Sequence, residues 1–410
     1  MPEFLSLLSP DEALAIWLGT IPFRLPDSEK ISTRQALGRV TTSAVISYEA
    51  LPPFTRSTVD GYAVRAADTH GASESLPGYL TIIGEVLMGK ATDLCVRPGE
   101  CAVIHTGGMI PPGADAVVMM EYTQAARTGE VEVLRAVANG ENIILVGEDV
   151  QPGQEVIPAG RRLRAPEIGG LMSLGYTTVN VARPPRVGIL SSGDEVVPPE
   201  AQPGPGQVRD ANSYALAALI EQHGGEAALY GIMPDRPEEL EETMRRAMLE
   251  CDLVVVTAGS SASARDLTAE VIGRMGKPGV LVHGVNTRPG KPTILAVCDG
   301  KPVVGLPGNP VSALVIAWWF LVPLLERWLG MPLQARPQIG ARLKVNVSSQ
   351  AGRVDWVPVR LVDEDGERWA DPIFYKSNLI FMLARADGLV RIPADANGLP
   401  AGELVQVWLL

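Results

Sequence analysis

At 410 residues the chain is too long for one ordinary core and suggests roughly two to four domains. Hydrophobic residues at 46% with 20% charged describe a folded globular protein, and 35 basic against 47 acidic residues, a net charge of -12, disfavour indiscriminate nucleic-acid binding. Four dispersed cysteines with no CxxC pair, and an N-terminus Met1-Pro2-Glu3-Phe4-Leu5 without a signal-peptide pattern, lead us to expect a reduced, cytoplasmic protein.

In chain order, Ser9-Pro10-Asp11-Glu12 reads as a capping box that launches a helix through Leu18, stopped by Gly19. From about Tyr79 to Val146 the pattern changes to short β-rich runs separated by glycine and proline turns: Leu80 to Ile83, Ala102 to His105, Ala116 to Met120, Val131 to Leu134 and Ile143 to Val146. Beyond the boundary at Arg183-Pro184-Pro185, strands are expected at Val187 to Leu190, Leu253 to Thr257, Val280 to Val285, Thr293 to Val297 and Val303 to Leu306. Helices are expected at Ser213 to His223, Pro237 to Glu250, Leu267 to Met275 and Val311 to Leu329. That alternation argues for an α/β sheet covered on both faces, with ligands near the carboxyl ends of its strands. The apolar stretch Val311 to Leu325 is short of a membrane span and contains Ser312 and Pro323, so it reads as a buried helix. Four further strand-like runs lie between Ala341 and Leu409.

The expected fold class is therefore α/β multidomain. An N-terminal mixed region at 1-182 carries a β-rich insertion at about 55-148, a central doubly wound α/β domain spans 183-332, and a small C-terminal β-barrel-like domain spans 336-410.

Leu306-Pro307-Gly308-Asn309-Pro310-Val311-Ser312-Ala313 ends a strand and opens a helix. Asn309 is placed to cap that helix and Pro310 suits its first position, so the unpaired amides there suit a phosphate or similar oxyanion. Upstream, Thr287-Arg288-Pro289-Gly290-Lys291-Pro292-Thr293 puts two cations around a second proline-braced turn. Thr257-Ala258-Gly259-Ser260-Ser261-Ala262-Ser263-Ala264-Arg265-Asp266 leaves a strand through small residues, whose amides and hydroxyls suit phosphate, and ends in a carboxylate. Glu195, Asp235 and Asp266 all follow strands of the same sheet and are expected to converge on a hard cation such as Mg2+. Taken locally, Asp194-Glu195 is as well explained as a helix start, and Asp235-Arg236-Pro237-Glu238 as a capping box. The histidines show no ligand spacing, and Trp318 and Trp319 read as core or dimer-interface residues.

Several segments then occur in a set order: Pro52-Pro53-Phe54, Val59-Asp60-Gly61-Tyr62-Ala63-Val64, Thr106-Gly107, Gly113-Ala114-Asp115-Ala116-Val117-Val118, Gly147-Glu148-Asp149, Gly193-Asp194-Glu195, Pro289-Gly290-Lys291-Pro292 and Gly305 to Ala313. As a set they resemble the MoeA family of molybdopterin molybdenumtransferases, which includes the gephyrin E domain, from about residue 9 to the C-terminus. The resemblance implies a homodimeric enzyme with a cleft shared between subunits, in which adenylylated molybdopterin reacts with molybdate, Mg2+ assists and AMP is released. It implies that Glu195, Asp235 and Asp266 handle Mg2+ and nucleotide, that Asp60, Thr106 and Asp149 are functional positions of the N-terminal region, and that Ser260, Ser261, Ser263, Pro307, Gly308, Asn309 and Pro310 line the substrate. It implies a molybdate pocket at Arg288, Lys291, Arg353 and Ser377. A molybdopterin adenylyltransferase and molybdoenzyme apoproteins are the implied partners, with neither nucleic acid nor membrane among them.

This chain departs from the family pattern where Ala258, Ala262 and Ala264 replace glycine or valine positions, which would strain a backbone needing positive φ. Two alternative readings stand beside the transferase: adenylylation of molybdopterin, and a pterin-binding scaffold with weakened catalysis.

Overall fold

A computed structural model describes residues 7-258, 262-332, 336-374 and 376-410, with the side chains of 258 and 262-266 outside the description. The chain divides into two compact units, one of residues 1-42, 160-164 and 179-410, the other of 43-159 and 165-178.

The first unit begins with helix α1, Pro10–Thr20. Its capping box forms as the sequence implies: the Ser9 hydroxyl accepts from the Glu12 amide, and the Glu12 carboxylate accepts from the Ser9 amide at 3.0 Å. Trp17, fully buried, donates its indole N–H to the Ala296 carbonyl at 2.9 Å and so fastens this helix to the central sheet.

That sheet is built from β1 Arg186–Ser192, α2 Asn212–Gln222, β2 Glu226–Met233, α3 Pro237–Glu250, β3 Leu253–Ala258, α4 Ala262–Gly273, β4 Pro278–His283, β5 Ile294–Cys298, β6 Lys301–Pro307 and α5 Pro310–Trp328. The strand order is β2-β1-β3-β6-β5-β4. The first four strands run parallel, whereas β5 and β4 pair antiparallel. The sheet is therefore mixed, with an antiparallel edge on a parallel core. Strands covered on both faces must be apolar throughout, which is why β1 and β6 bury six consecutive residues each and β5 buries all five of its own.

Strand β2 was not expected from the sequence. Its Glu-Ala-Ala-Leu-Tyr-Gly run is rich in residues that favour helix over strand, and it lies at the sheet edge where pairing on one side overrides propensity. Helix α4 starts at Ala262, five residues before the expected Leu267. Ala262 and Ala264 are thus helical and Ala258 ends β3, so the strain anticipated from these alanines does not arise: both are ordinary backbone for L-residues.

Helix α5 is buried along almost its whole length, from Val311 to Trp328. It is long and apolar enough to cross a membrane by composition, yet 78% of that window is inside the protein, as a core helix requires. Pro323 sits within it and cannot donate to the carbonyl of Trp319 four residues earlier. The Arg336 guanidinium supplies the missing donor at 3.3 Å and stacks 3.8 Å from the Trp318 ring centre.

The C-terminal strands are β7 Gln338–Leu343, β8 Val354–Glu364, β9 Glu367–Pro372, β10 Gly388–Ile392 and β11 Leu404–Leu409. They pair in the order β8-β9-β7-β11-β10, and β10 pairs back to β8, closing a small barrel. Trp356 of β8 and Trp408 of β11 meet Trp318 and Trp319 of α5, with ring centres 4.7 to 6.5 Å apart. These tryptophans form core between barrel and helix.

The second unit holds a six-stranded sheet in the order Ala116–Met119, Gly61–Val64, Glu100–Ile104, Gly78–Glu85, Glu130–Val133, Thr123–Ala125. Antiparallel pairing of Val45–Ile46 with Glu155–Ile157 carries this unit beyond the 55-148 stretch read from the strand pattern. All four cysteines are free, and burial pushes the Cys101 thiol up to about 12.

Replacing Arg336 by Met keeps the packing stem but orphans the Trp319 carbonyl, which should cost about 1–3 kcal/mol. Adding Pro323→Ala restores a backbone donor, so thermal unfolding of the double variant should recover most of that loss; strictly additive single effects would contradict the pairing.

Candidate functional site

Two cavities flank the N-terminus of α5. The first, of about 510 Å³, is lined by Arg288, Lys291, Arg353, Lys376 and Ser377 together with Asn309 and Ser312. It gathers all four side chains assigned to the oxyanion pocket from the sequence, and adds Lys376. Its walls come from the turn after β4, the start of α5, the residue before β8 and the segment at 376-377.

Backbone pairing places these walls. Thr287–Arg288 forms a short parallel pairing with Val354 and Asp355 of β8. Gly290, at φ +102, lies so close to α5 that an added Cβ would stand 2.2 Å from Ile316 Cγ1. Only glycine permits both that φ and that approach. The Ser377 carbonyl accepts from the Val311 amide at 3.1 Å.

That last bond corrects the expected use of the helix end. Pro310 has no N–H and the Val311 amide holds the 377 segment, so α5 does not present a full set of free amides to a ligand. Asn309 sits at the N-cap with extended backbone, but its side chain makes no capping bond. It lies instead on the walls of both cavities.

A carboxylate that sequence reasoning missed organises the cations. Asp355, 4% exposed, accepts from Arg353 Nε at 2.9 Å and Nη2 at 3.4 Å, and stands 3.8 Å from Arg288 Nη1. The available signal was its i+2 spacing from Arg353, which puts the two on one side of an extended chain.

The second cavity, of about 400 Å³, is lined by Ser191, Ser192, Glu195, Asp210, Asn212, Thr257, Gly308, Asn309, Pro310 and Asn378, among others. Asp235 is tied to this wall, for its carboxylate accepts from the Ser192 hydroxyl at 2.7 Å. The capping role expected for Asp235 is not observed: Arg236 is the N-cap of α3 and no side chain caps it. Asp210 and Asn212 were not foreseen. Buried Asp210 caps the start of α2 by accepting from the Ser213 amide. Asn212 donates to the Gly308 carbonyl at 2.8 Å, leaving its Oδ1 buried without a hydrogen-bond partner. Pro307 ends β6, paired in register with Ala258.

Ser260, Ser261, Ser263 and Asp266 lie outside the described side chains, so the convergence of three carboxylates is not seen; among the described residues, no group of three His, Cys, Asp or Glu is placed to hold a metal ion. Glu195 and Asp235 nevertheless offer hard oxygen donors beside hydroxyls, with an orphaned buried acceptor nearby. Mg2+ commonly takes only one or two carboxylates and fills its other positions with water and substrate phosphate, so the donor set fits it.

In the second unit, the Asp60 carboxylate accepts from the Thr106 amide at 2.9 Å and lies 3.4 Å from His105 Nδ1. His105 Nε2 is 3.0 Å from Glu85 Oε1. Asp149 sits in a separate turn, its amide donating to the Leu51 carbonyl. His105, which showed no ligand spacing in the sequence, bridges Glu85 and a predicted functional aspartate. The hydrogen bond to Glu85, then that to Asp60, raises the His105 pKa; the Thr106 amide, then His105, lowers that of Asp60.

With these geometries described, the chain can be set beside known proteins. Residues 8–175 match the MoeA N-terminal region (domain I and II), 188–327 a probable molybdopterin binding domain, and 340–410 the MoeA C-terminal region (domain IV). A Nostoc protein named molybdopterin molybdenumtransferase is 32% identical over 390 residues, covering 94% of this chain and 89% of its own. Molybdopterin molybdenumtransferase 2 of Mycobacterium tuberculosis is 32% identical, covering 91% and 93%. A crystal structure of a molybdopterin biosynthesis MoeA protein from Pyrococcus horikoshii superposes with a TM-score of 0.85 at 32% identity, covering 99% of this chain and all of that one.

Because the folded state raises the His105 pKa, the stability this residue contributes is complete below the ordinary imidazole value of about 6.5 and is lost as pH rises through the folded value. An NMR titration should find His105 titrating above a free imidazole, and Glu85→Gln should bring it back toward that value; an unmoved midpoint would contradict the bridge.

Proposed function

Because the chain belongs to the MoeA family of molybdopterin molybdenumtransferases, enzymes of molybdenum cofactor biosynthesis, we propose that it inserts the metal of molybdate into adenylylated molybdopterin with release of AMP. The observation that carries this reading is the adjacency of a strongly cationic cavity and a mixed polar one whose charged lining is Glu195, Asp210 and Arg209. Asn309 lies on both walls, and the consecutive residues Lys376, Ser377 and Asn378 divide between them.

In this reading the cationic cavity holds molybdate. Arg288, Lys291, Arg353 and Lys376 offset its two negative charges, and the Ser377 and Ser312 hydroxyls donate to oxygens that the cations leave free. A tetrahedral dianion presents acceptors in four directions, so donors from four separate chain segments fix it better than one cationic loop. The other cavity takes the adenylylated end of the pterin. There Asn212 Oδ1 is free to accept an N–H of the ligand, and the Ser192 hydroxyl holds Asp235 in place.

The pocket walls thereby bring the dithiolene sulfurs to molybdate, which lowers the entropic part of the barrier. The two dithiolene thiols displace an oxo ligand of molybdate, which leaves as water with the thiol protons. A water oxygen attacks phosphorus of the phosphoanhydride joining pterin phosphate to AMP, so that AMP leaves with the bond electrons and the attacking water's proton is released. Mg2+, held by Glu195 and Asp235 and, by family resemblance, Asp266, would neutralise charge developing on the phosphate oxygens. The reading also holds that the protein acts as a homodimer with its cleft shared between subunits, that Asp60, Thr106 and Asp149 serve the reaction, and that an adenylyltransferase supplies its substrate.

Purified protein mixed with adenylylated molybdopterin, molybdate and Mg2+ should release AMP and reconstitute a molybdenum-free apoenzyme. Equal AMP release with and without Mg2+ would remove the metal from the scheme, and pterin binding without turnover would favour a scaffold. Lys291→Ala should raise the KM for molybdate about tenfold while pterin affinity stays within about twofold, the signature of a lost charge-assisted contact to one substrate. An unchanged molybdate dependence would exclude Lys291 from the pocket.

A further inference from the structure

The oxyanion cavity is rich in donors and has no carboxylate among its described lining residues. Arg288, Lys291, Arg353 and Lys376 only donate, and hydroxyls and amides supply its remaining side-chain polar atoms. One carboxylate, Asp355, stands behind two of the lining arginines, and it is already paired with them. Both its oxygens receive Arg353 N–H groups, Oδ2 also faces Arg288 at 3.8 Å, and the residue is 4% exposed.

Tetrahedral oxyanions of similar size differ in one respect that such a site can read. Molybdate, tungstate and sulfate carry no proton near neutrality, whereas inorganic phosphate keeps at least one. A P–OH group needs an acceptor; in this cavity it meets only the neutral oxygens of Asn286, Thr287, Asn309, Ser312 and Ser377, which accept more weakly than a carboxylate, beside four cations that only donate. A free carboxylate would relieve that conflict and admit phosphate.

We propose that Asp355 is the specificity-determining residue of this cavity: by orienting the Arg353 guanidinium through both of its oxygens and pairing with Arg288 at 3.8 Å, it makes the pocket selective for an unprotonated tetrahedral dianion over hydrogen phosphate. The inference rests on the reading of this cavity as the molybdate site and adds the means of its selectivity. It assigns Asp355 a positioning role, since the carboxylate acts through the two arginines and does not touch the anion. A clamp of this kind also explains why a buried acid stands behind a pocket for an anion, where an unpaired carboxylate would repel the ligand.

The test uses the intact protein and needs no variant at first. Molybdate binding is measured by equilibrium dialysis at neutral pH, with tungstate, sulfate or inorganic phosphate as competitor. Tungstate and sulfate should compete, and phosphate should compete about tenfold more weakly or worse, since rejection of a ligand with an unmatched donor is a difference of affinities. If molybdate binds and phosphate displaces it as well as sulfate does, the selectivity inference falls while the cavity assignment stands. If no tetrahedral oxyanion binds, both fall together.

Two variants then address Asp355 itself. Arg353→Gln removes the guanidinium that both lines the cavity and occupies Asp355, opening to a P–OH a carboxylate that does not touch the anion in the native protein, so the gap between sulfate and phosphate should close to within about threefold although all affinities drop. Asp355→Asn should raise the KM for molybdate about tenfold with a smaller change in kcat, and Asp355→Glu should recover part of it. An unchanged sulfate-to-phosphate ratio in Arg353→Gln, or an unchanged KM in Asp355→Asn, would overturn the assignment.

Discussion

Burial of helix α5 on all its faces is the constraint from which the rest of the first unit follows. One side packs against the α/β sheet and another against Trp356 and Trp408 of the barrel, so the helix axis has no freedom to tilt without opening two interfaces. Close-packed interiors resist such displacements. Its N-terminus is consequently a fixed point, and both cavities are built around it. The proline in the second turn from its end would ordinarily weaken such a helix, yet the carbonyl it leaves free becomes the attachment for Arg336.

The contrast between the two cavities follows from which segments reach that fixed point. The parallel strands deliver short polar turns at their carboxyl ends, and from β1 and β2 these carry acids. The turn after β4 and the segments at 353 and 376-377 deliver cations. The two adjoining cavities therefore differ in charge: among the described residues, four cations and no carboxylate line one, Glu195 and Asp210 with Arg209 the other.

Much of the fold was legible in the sequence because periodicity and burial agree where both faces of an element are covered. Pro237–Glu250 and Leu404–Leu409 occupy the residues read from the pattern, and the continuous apolar runs of β3 and β5 left little choice. Edge strand β2 escaped because its composition favours helix and its pairing partner is remote in sequence. In the site, the proline-braced turn at 287-293 located Arg288 and Lys291, the family resemblance implied Arg353 and Ser377, and the structure brings all four together. Asp355 did not stand out, since its i+2 spacing from Arg353 is a weak mark by itself and nothing local announces Arg288, which reaches it from a segment remote in sequence. The caps misled for a related reason: Asp235 and Asn309 have the residue types of helix caps, but tertiary contacts at Ser192 and at the cavity walls take precedence.

The pairing of Thr287–Arg288 with Val354 and Asp355 has one more consequence. A dipeptide that belongs by chain order to the α/β domain is hydrogen-bonded as an outer strand of the barrel, so the wall bearing Arg288 exists only while the two domains are docked. Any anion seated between them acts as a linker, and its binding free energy opposes their separation. Neither domain, excised and folded alone, would retain the recognition surface that the pair creates.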